Sequence, residues 1–166
     1  MKSGFVSIIG RTNAGKSSLF NRMIRSQQAI VAREAGTTRD NVIGKVSYRR
    51  PETTQRQSLE SNSAQTDETT KAQFWLVDTA GLKDPDDEFE AGIQQQIEEA
   101  ASSADVILVV VDSTEYPGDE DRLVAKKALK SKKPVILITN KADLRNSLPN
   151  DEFHRLGIRD IIRTSA

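Results

Sequence analysis

Eight consecutive residues, Gly10-Arg11-Thr12-Asn13-Ala14-Gly15-Lys16-Ser17, have the spacing G-x-x-x-x-G-K-[ST], and that spacing is chemistry for a polyphosphate. Phosphate oxygens need several backbone N–H donors converging at close range. A glycine-bearing loop that opens into a helix N-terminus supplies them, with the helix dipole favouring the negative charge. Lys16 then brings a cation to the β- and γ-phosphates, and the Ser17 hydroxyl faces Mg²⁺, with Ser18 closing the cradle. A chance glycine-rich turn is the bland alternative. The setting between an apolar run and an amphipathic stretch argues against it and for a nucleoside triphosphate site.

A second run, Thr139-Asn140-Lys141-Ala142-Asp143, closes the apolar segment Val135–Ile138. A carboxylate there accepts from both N1–H and the exocyclic amine of guanine, whereas adenine offers no such donor pair and would leave Asp143 unpaired. Sites built to pair a polar feature reject analogues lacking it by roughly four to five orders of magnitude. Asn140 is expected either to hold the loop or to reach the base edge, and the Lys141 stem to lie along the base. After the final strand come Thr164-Ser165-Ala166, where the Ala166 N–H is expected to reach the base carbonyl. In isolation the Asn-Lys-Ala-Asp run reads as an ordinary helix cap; behind a phosphate cradle it reads as a guanine site.

A third group, Asp78-Thr79-Ala80-Gly81, ends the apolar run Phe74–Val77. An acid at that strand end suits Mg²⁺ through water. Gly81 is expected to bring its N–H onto the γ-phosphate, a contact that disappears after hydrolysis and so makes a switch. The stretch Val31–Asp40 is the second phosphate-sensing loop, and within Gly36-Thr37-Thr38-Arg39-Asp40 the Mg²⁺ hydroxyl is assigned to Thr38 in preference to Thr37. The acidic residues 84–90 read as a solvated loop, and His154 and Trp75 as structural.

The elements that must position these groups follow from apolar patterning. Phe5–Ile9, Phe74–Val77, Val106–Val111 and Val135–Ile138 are continuous apolar runs, which suits strands buried on both faces. Helical patterns lie at Lys16 to about Arg25, Ile93–Ala104 and Leu123–Ser131, and a last, weaker strand at about Ile158–Arg163. Strands alternating with helices imply an α/β fold with a mostly parallel, doubly wound sheet. The polar stretch Arg50–Ala72 breaks the rhythm and reads as a mobile insertion in a hairpin between a strand near Val42–Tyr48 and the one at Phe74. Residues 1–166 are read as a single domain.

Composition narrows the remaining options. The chain has 166 residues, with 24 Lys and Arg against 24 Asp and Glu, so net charge points to neither a polyanion nor a membrane surface. With no cysteine and one histidine, thiol chemistry, disulfides and His- or Cys-built zinc sites are excluded. The longest apolar run, Val106–Val111, is far short of the roughly 18 residues of a membrane span. The expectation is a soluble, cytoplasmic, monomeric protein without a membrane partner.

Taken together and in order, Gly10–Asn21, Gly36–Asp40, Asp78–Leu82, Asp84–Glu88, Ala104–Leu108, Lys133–Leu137 and Asn140–Asp143 resemble the TRAFAC GTPase superfamily and its Era and Der (EngA) branch. The resemblance spans essentially the whole chain and is strongest to the first GTPase domain of Der-type proteins. It implies a P-loop NTPase three-layer sandwich of small-GTPase type, here without its final helix. It also implies binding of GTP and GDP, hydrolysis of GTP, and partners in ribosomal RNA and the large ribosomal subunit through the full-length protein. Where Ras-type members carry a water-orienting glutamine, this chain has Leu82, which cannot do that work. The resemblance therefore gives Asn13 the role of a K⁺ ligand, the ion supplying charge that an arginine finger brings elsewhere. Lys16, Asn13, Thr38 and Gly81 form the implied catalytic set. Era-like or tRNA-modification-type GTPases, and a nucleotide-binding module with little hydrolysis of its own, are the competing readings.

Overall fold

The computed structural model describes residues 4–25, 31–33, 42–49, 71–78, 97, 98, 100 and 102–166. Within them, strands β1 (Gly4–Ile9), β2 (Val31–Arg33), β3 (Val42–Arg49), β4 (Lys71–Asp78), β5 (Val106–Asp112), β6 (Val135–Asn140) and β7 (Asp160–Arg163) form one seven-stranded sheet in the order β2-β3-β4-β1-β5-β6-β7. Helices α1 (Lys16–Arg25) and α2 (Asp119–Lys130) and a 3₁₀ helix (Asn150–Leu156) accompany it, with further helical residues between 97 and 103. The sheet is parallel from β4 through β1, β5 and β6 to β7 and antiparallel where β3 joins β4 and β2 joins β3. This is the mostly parallel α/β sheet expected, with the expected hairpin running from Val42 opposite Asp78 to Arg49 opposite Lys71.

The continuous apolar runs are explained by burial on both sides. Successive strand side chains point to opposite faces, so Ile9, Ile107, Val109, Val111 and Leu137 join one apolar layer. Ile8, Leu108, Val110 and Ile138 join the other. The first layer is covered by Val124, Ala125 and Ala128 of α2 and by Phe153 and Leu156 of the 3₁₀ helix. The second is covered by Leu19, Phe20 and Ile24 of α1. Each such Leu, Ile or Phe contributes about 1.5–3 kcal/mol by leaving water. α1 packs tightly over Gly44 of β3: a Cβ there would lie 2.1 Å from Ile24 Cδ1.

Several boundaries differ from the sequence expectation. Helix α2 starts at Asp119, four residues before Leu123, because Gly118 is its N-cap and the Gly118 N–H donates to the Asp121 carboxylate at 3.0 Å. Apolar periodicity does not register an acidic, polar first turn. The 3₁₀ helix was not expected at all; it forms between Pro149 and Gly157, whose left-handed φ of 76° ends it, and it buries Phe153 completely. β7 begins at Asp160, while Ile158 turns into the core. Val31–Arg33, assigned to a sensing loop, is a short strand against β3. Lys71 and Ala72, assigned to the insertion, belong to β4. Of the helix expected at 93–104, residues 97, 98, 100, 102 and 103 are helical. Residues 50–70 lie outside the described residues.

Candidate functional site

In the sheet order, β1 has β4 on one side and β5 on the other, which makes its C-terminal end a topological switch point. In open α/β sheets, ligands bind in the crevice that opens at such a point. Four sequence-selected groups arrive there at strand ends: the glycine loop after β1, Asp78 at the end of β4, Asn140 at the end of β6, and Ser165-Ala166 after β7.

The glycine loop needs its glycines. At Gly10, φ is 152° and a Cβ would lie 2.3 Å from the Val110 carbonyl oxygen. At Gly15, φ is 90° and a Cβ would lie 2.2 Å from the Asn140 amide nitrogen. Asn13 takes a left-handed φ of 63°, a conformation that asparagine tolerates better than most side chains. The Leu19 N–H donates to the Gly15 carbonyl at 2.9 Å, so α1 opens directly out of the loop. No acidic residue sits in its first turn to neutralise the positive end of the dipole. Buried Lys16 turns back over the loop, its Nζ donating to the carbonyls of Gly10 (2.8 Å) and Arg11 (2.6 Å). Thr12, Asn13, Ser17 and Ser18 are exposed around it and Ala14 is buried beneath.

Asn140 decides between its two expected roles: it holds loops together. Its Nδ2 donates to the Ala14 carbonyl at 3.2 Å, and its Oδ1 accepts from the Thr164 hydroxyl at 3.1 Å. The Ala142 N–H donates to the Thr164 carbonyl at 2.9 Å, bringing Ser165 and Ala166 beside the 140–143 turn. Asp143 in that turn is exposed, and its carboxylate has no partner among the described residues. Ala166 and Ser18 line a cleft of about 600 Å³ together with Asn21, Arg22 and Arg25. Asp78 is buried opposite Ile8, at the edge of the glycine loop. Thr37, Thr38, Thr79, Ala80, Gly81, Leu82 and residues 84–90 lie outside the described residues.

Lys141 departs from expectation. Its stem was assigned to the base, but its ammonium pairs with the Asp112 carboxylate at the end of β5. Asp112 also accepts from the Thr114 N–H (2.9 Å) and hydroxyl (2.6 Å). Burial alone would push the Asp112 carboxyl up, yet the Lys141 and Thr114 contacts outweigh it and hold it below its ordinary value. On the phosphate side, Arg11 pairs with Glu115 at 2.5 Å and lies 3.4 Å from buried Asp121. Burial lowers the readiness of Arg11 to carry charge, but Glu115, Asp121 and Asp112 together hold it above its usual range. Burial pushes Asp121 up despite the opposing Gly118 N–H and Arg11. Sequence reasoning missed Asp112, Thr114, Glu115 and Asp121. Asp112 had a signal, since it closes an apolar strand as Asp78 does; Glu115 and Asp121 had none.

Among the described residues there is no group of three or more His, Cys, Asp or Glu side chains able to hold a metal by themselves. The oxygen donors at the crevice, the Ser17 hydroxyl and the Asp78 carboxylate, instead suit a hard cation completed by phosphate oxygens.

The family described as 50S ribosome-binding GTPase matches residues 5–141. The chain is 37% identical over 167 residues to GTPase Der of Mesoplasma florum, covering 100% of this chain and 34% of that protein. It is 42% identical over 159 residues to GTPase Der of Bacteroides fragilis, covering 93% of this chain and 31% of that protein. It thus spans about a third of the length of the curated relatives it matches. Among solved structures, Era in complex with MgGDPNP and nucleotides 1506–1542 of 16S ribosomal RNA superposes with a TM-score of 0.62 at 28% identity, covering 99% of this chain and 51% of that one. A family match over residues 5–141, most of the chain, makes this chain a member of the 50S ribosome-binding GTPase family.

Proposed function

We propose that the chain is a GTP-binding and GTP-hydrolysing switch, similar to the N-terminal part of the GTPase Der proteins. The observation that carries the reading is the Asn140–Ala14 hydrogen bond, which ties the turn bearing Asp143 to the glycine loop at one strand-order switch point. A phosphate grip and a purine-edge acceptor are thereby held together for one nucleotide.

In this reading the backbone N–H groups of residues 10–18 and the Lys16 ammonium bind the phosphates. Asp143 accepts from the guanine edge, and the Ala166 N–H faces the base carbonyl. Ser17 and Asp78 would hold Mg²⁺, joined by Thr38, while the Gly81 N–H senses the terminal phosphate. Asn13, exposed at the loop crest, presents an amide oxygen suited to K⁺. With both cations held there, these residues would place positive charge against the phosphate oxygens. Catalysis is then positioning and electrostatics, and the basal rate is slow until the sensing loops order.

Ribosomal RNA of the large subunit is the proposed partner of the full-length protein. The family description supports the large subunit, while the Der relatives and the Era neighbour bound to 16S ribosomal RNA support ribosome association more broadly. Among the described residues no helix is long and apolar enough to cross a membrane, and the proposed setting is a cytoplasmic monomer.

Calorimetry with GDP and ADP tests the reading. GDP is expected to bind and ADP to bind at least about a thousandfold more weakly, with Asp143→Ala losing most of the difference. Equal affinity for both, or affinity for neither, would overturn it.

A further inference from the structure

Two cations leave the two loops of the site and end on one segment, residues 112–121. From the glycine loop, Arg11 reaches Glu115 at 2.5 Å and Asp121 at 3.4 Å. From the 140–143 turn, Lys141 reaches Asp112. The segment is also stitched to its surroundings by backbone. The Ser113 N–H donates to the Asn140 carbonyl at 2.9 Å, and the Leu148 N–H donates to the Ser113 carbonyl at 2.7 Å. Its own geometry is set locally, since Thr114 orients Asp112 and the Gly118 N–H occupies the second oxygen of Asp121. Asp112 is 6% exposed and Asp121 4%, so neither carboxylate can turn to water if its cation moves away. Removing one partner of a buried pair leaves an uncompensated charge, which is strongly unfavourable. The acids therefore fix where Arg11 and Lys141 sit, and with them the loops that carry those residues.

We propose that Asp112, Glu115 and Asp121 form a positioning bracket that holds the phosphate loop and the base loop at the separation of a single bound guanine nucleotide. The proposal rests on the nucleotide reading above. None of the three acids belongs to a stretch assigned to nucleotide contact; they act through Arg11 and Lys141. Because Lys141 is held by Asp112 rather than lying free, the bracket sets how long a nucleotide stays bound. The purine preference stays with Asp143, and the chemical step with the loop itself. The two halves are coupled because Asp112 and Asp121 are the two ends of one short segment.

The test uses Asp112→Asn, Asp121→Asn and the double variant, with Glu115→Gln as a partly exposed change that leaves the fold intact. Dissociation of fluorescent GDP, GDP against ADP affinity, steady-state KM and kcat for GTP, and melting of the nucleotide-free protein are measured for each. The expected result is GDP release faster by about tenfold in either Asp variant and by about threefold in Glu115→Gln. The GDP preference and kcat should stay within about twofold of the parent while KM rises. In the double variant the effects should fall short of multiplying, since both ends serve one bracket. Unchanged release in Glu115→Gln and Asp112→Asn would overturn the proposal. So would a fall in release barrier fully matched by a fall in melting temperature, or a change in kcat with KM constant. A parent protein that fails to prefer GDP over ADP would instead sink the nucleotide reading, a result visible before any variant is made.

Discussion

The Asn140 side-chain amide donates to the Ala14 carbonyl at 3.2 Å across 126 positions of sequence, and the space it occupies is the space where a Cβ on Gly15 would be. One contact thus explains both a glycine of the phosphate loop and the first polar residue after the β6 apolar run. Gly15→Ala is expected to cost about 1–3 kcal/mol, from the φ of 90° and the collision with Asn140 together. Adding Asn140→Ala should relieve the collision but not the backbone strain, so urea denaturation should show partial recovery. Full recovery would mean that the backbone conformation costs nothing.

Gly44 faces a different constraint, because its conformation is ordinary and the obstacle is packing: a built Cβ would lie 2.1 Å from Ile24 Cδ1, 2.8 Å from Ile24 Cγ1 and 3.3 Å from Phe20 Cζ. Gly44→Ala should destabilise by about 1–3 kcal/mol through overpacking. Ile24→Val removes Cδ1 but leaves Cγ1, so it should restore part of the loss in the double variant. A strictly additive pair would show that α1 does not bear on β3 at this point.

Phe153 is completely buried against α2 and the sheet although it sits in a 3₁₀ helix. Phe153→Ala should cost about 3–5 kcal/mol in equilibrium unfolding. A loss below about 1 kcal/mol would mean that the 3₁₀ helix is not part of the core.

Asp112 is held below its ordinary value of 3.8, so the folded chain binds fewer protons there than the unfolded chain as pH approaches that value. Its contribution is complete above the unfolded value and is lost as pH falls toward the folded one. Between about pH 5 and pH 3, parent stability should therefore fall more steeply than that of Asp112→Asn. Asp121, pushed up by burial, has the opposite sign, and the Asp112 charge adds to that push, so the difference reports Asp112 together with its effect on Asp121. Parallel curves would show that the Lys141–Asp112 pair contributes nothing.

Asn13 holds a left-handed φ of 63°, which glycine also accepts, so Asn13→Gly removes the amide without straining the loop. GTP turnover of the parent should be faster in K⁺ than in Na⁺, and the difference should vanish in Asn13→Gly with GDP affinity retained. A K⁺ effect that survives the substitution would remove Asn13 from the proposed ion site.

Local spacing determined much of this protein. The phosphate loop, each buried strand or helix taken singly and the turn bearing Asp143 are written in runs of about ten residues or fewer, while the hairpin of β3 and β4 is legible from the two apolar runs that flank residues 50–70. Each depends on requirements that a short stretch satisfies by itself: positive φ at Gly10 and Gly15, burial of strand residues on both faces of the central strands, an acid at a strand end. Tertiary structure decided the partners. Asn140 binding Ala14, Lys141 turning to Asp112 and Arg11 reaching Asp121 bring together residues 126, 29 and 110 positions apart. A charged side chain states that it needs a counter-charge without stating which one, and only the packing of strands in space selects it. The early start of α2 and the 3₁₀ helix around Phe153 were hidden for a related reason: polar caps and a lone aromatic carry no periodicity, and the core they complete is assembled from distant strands.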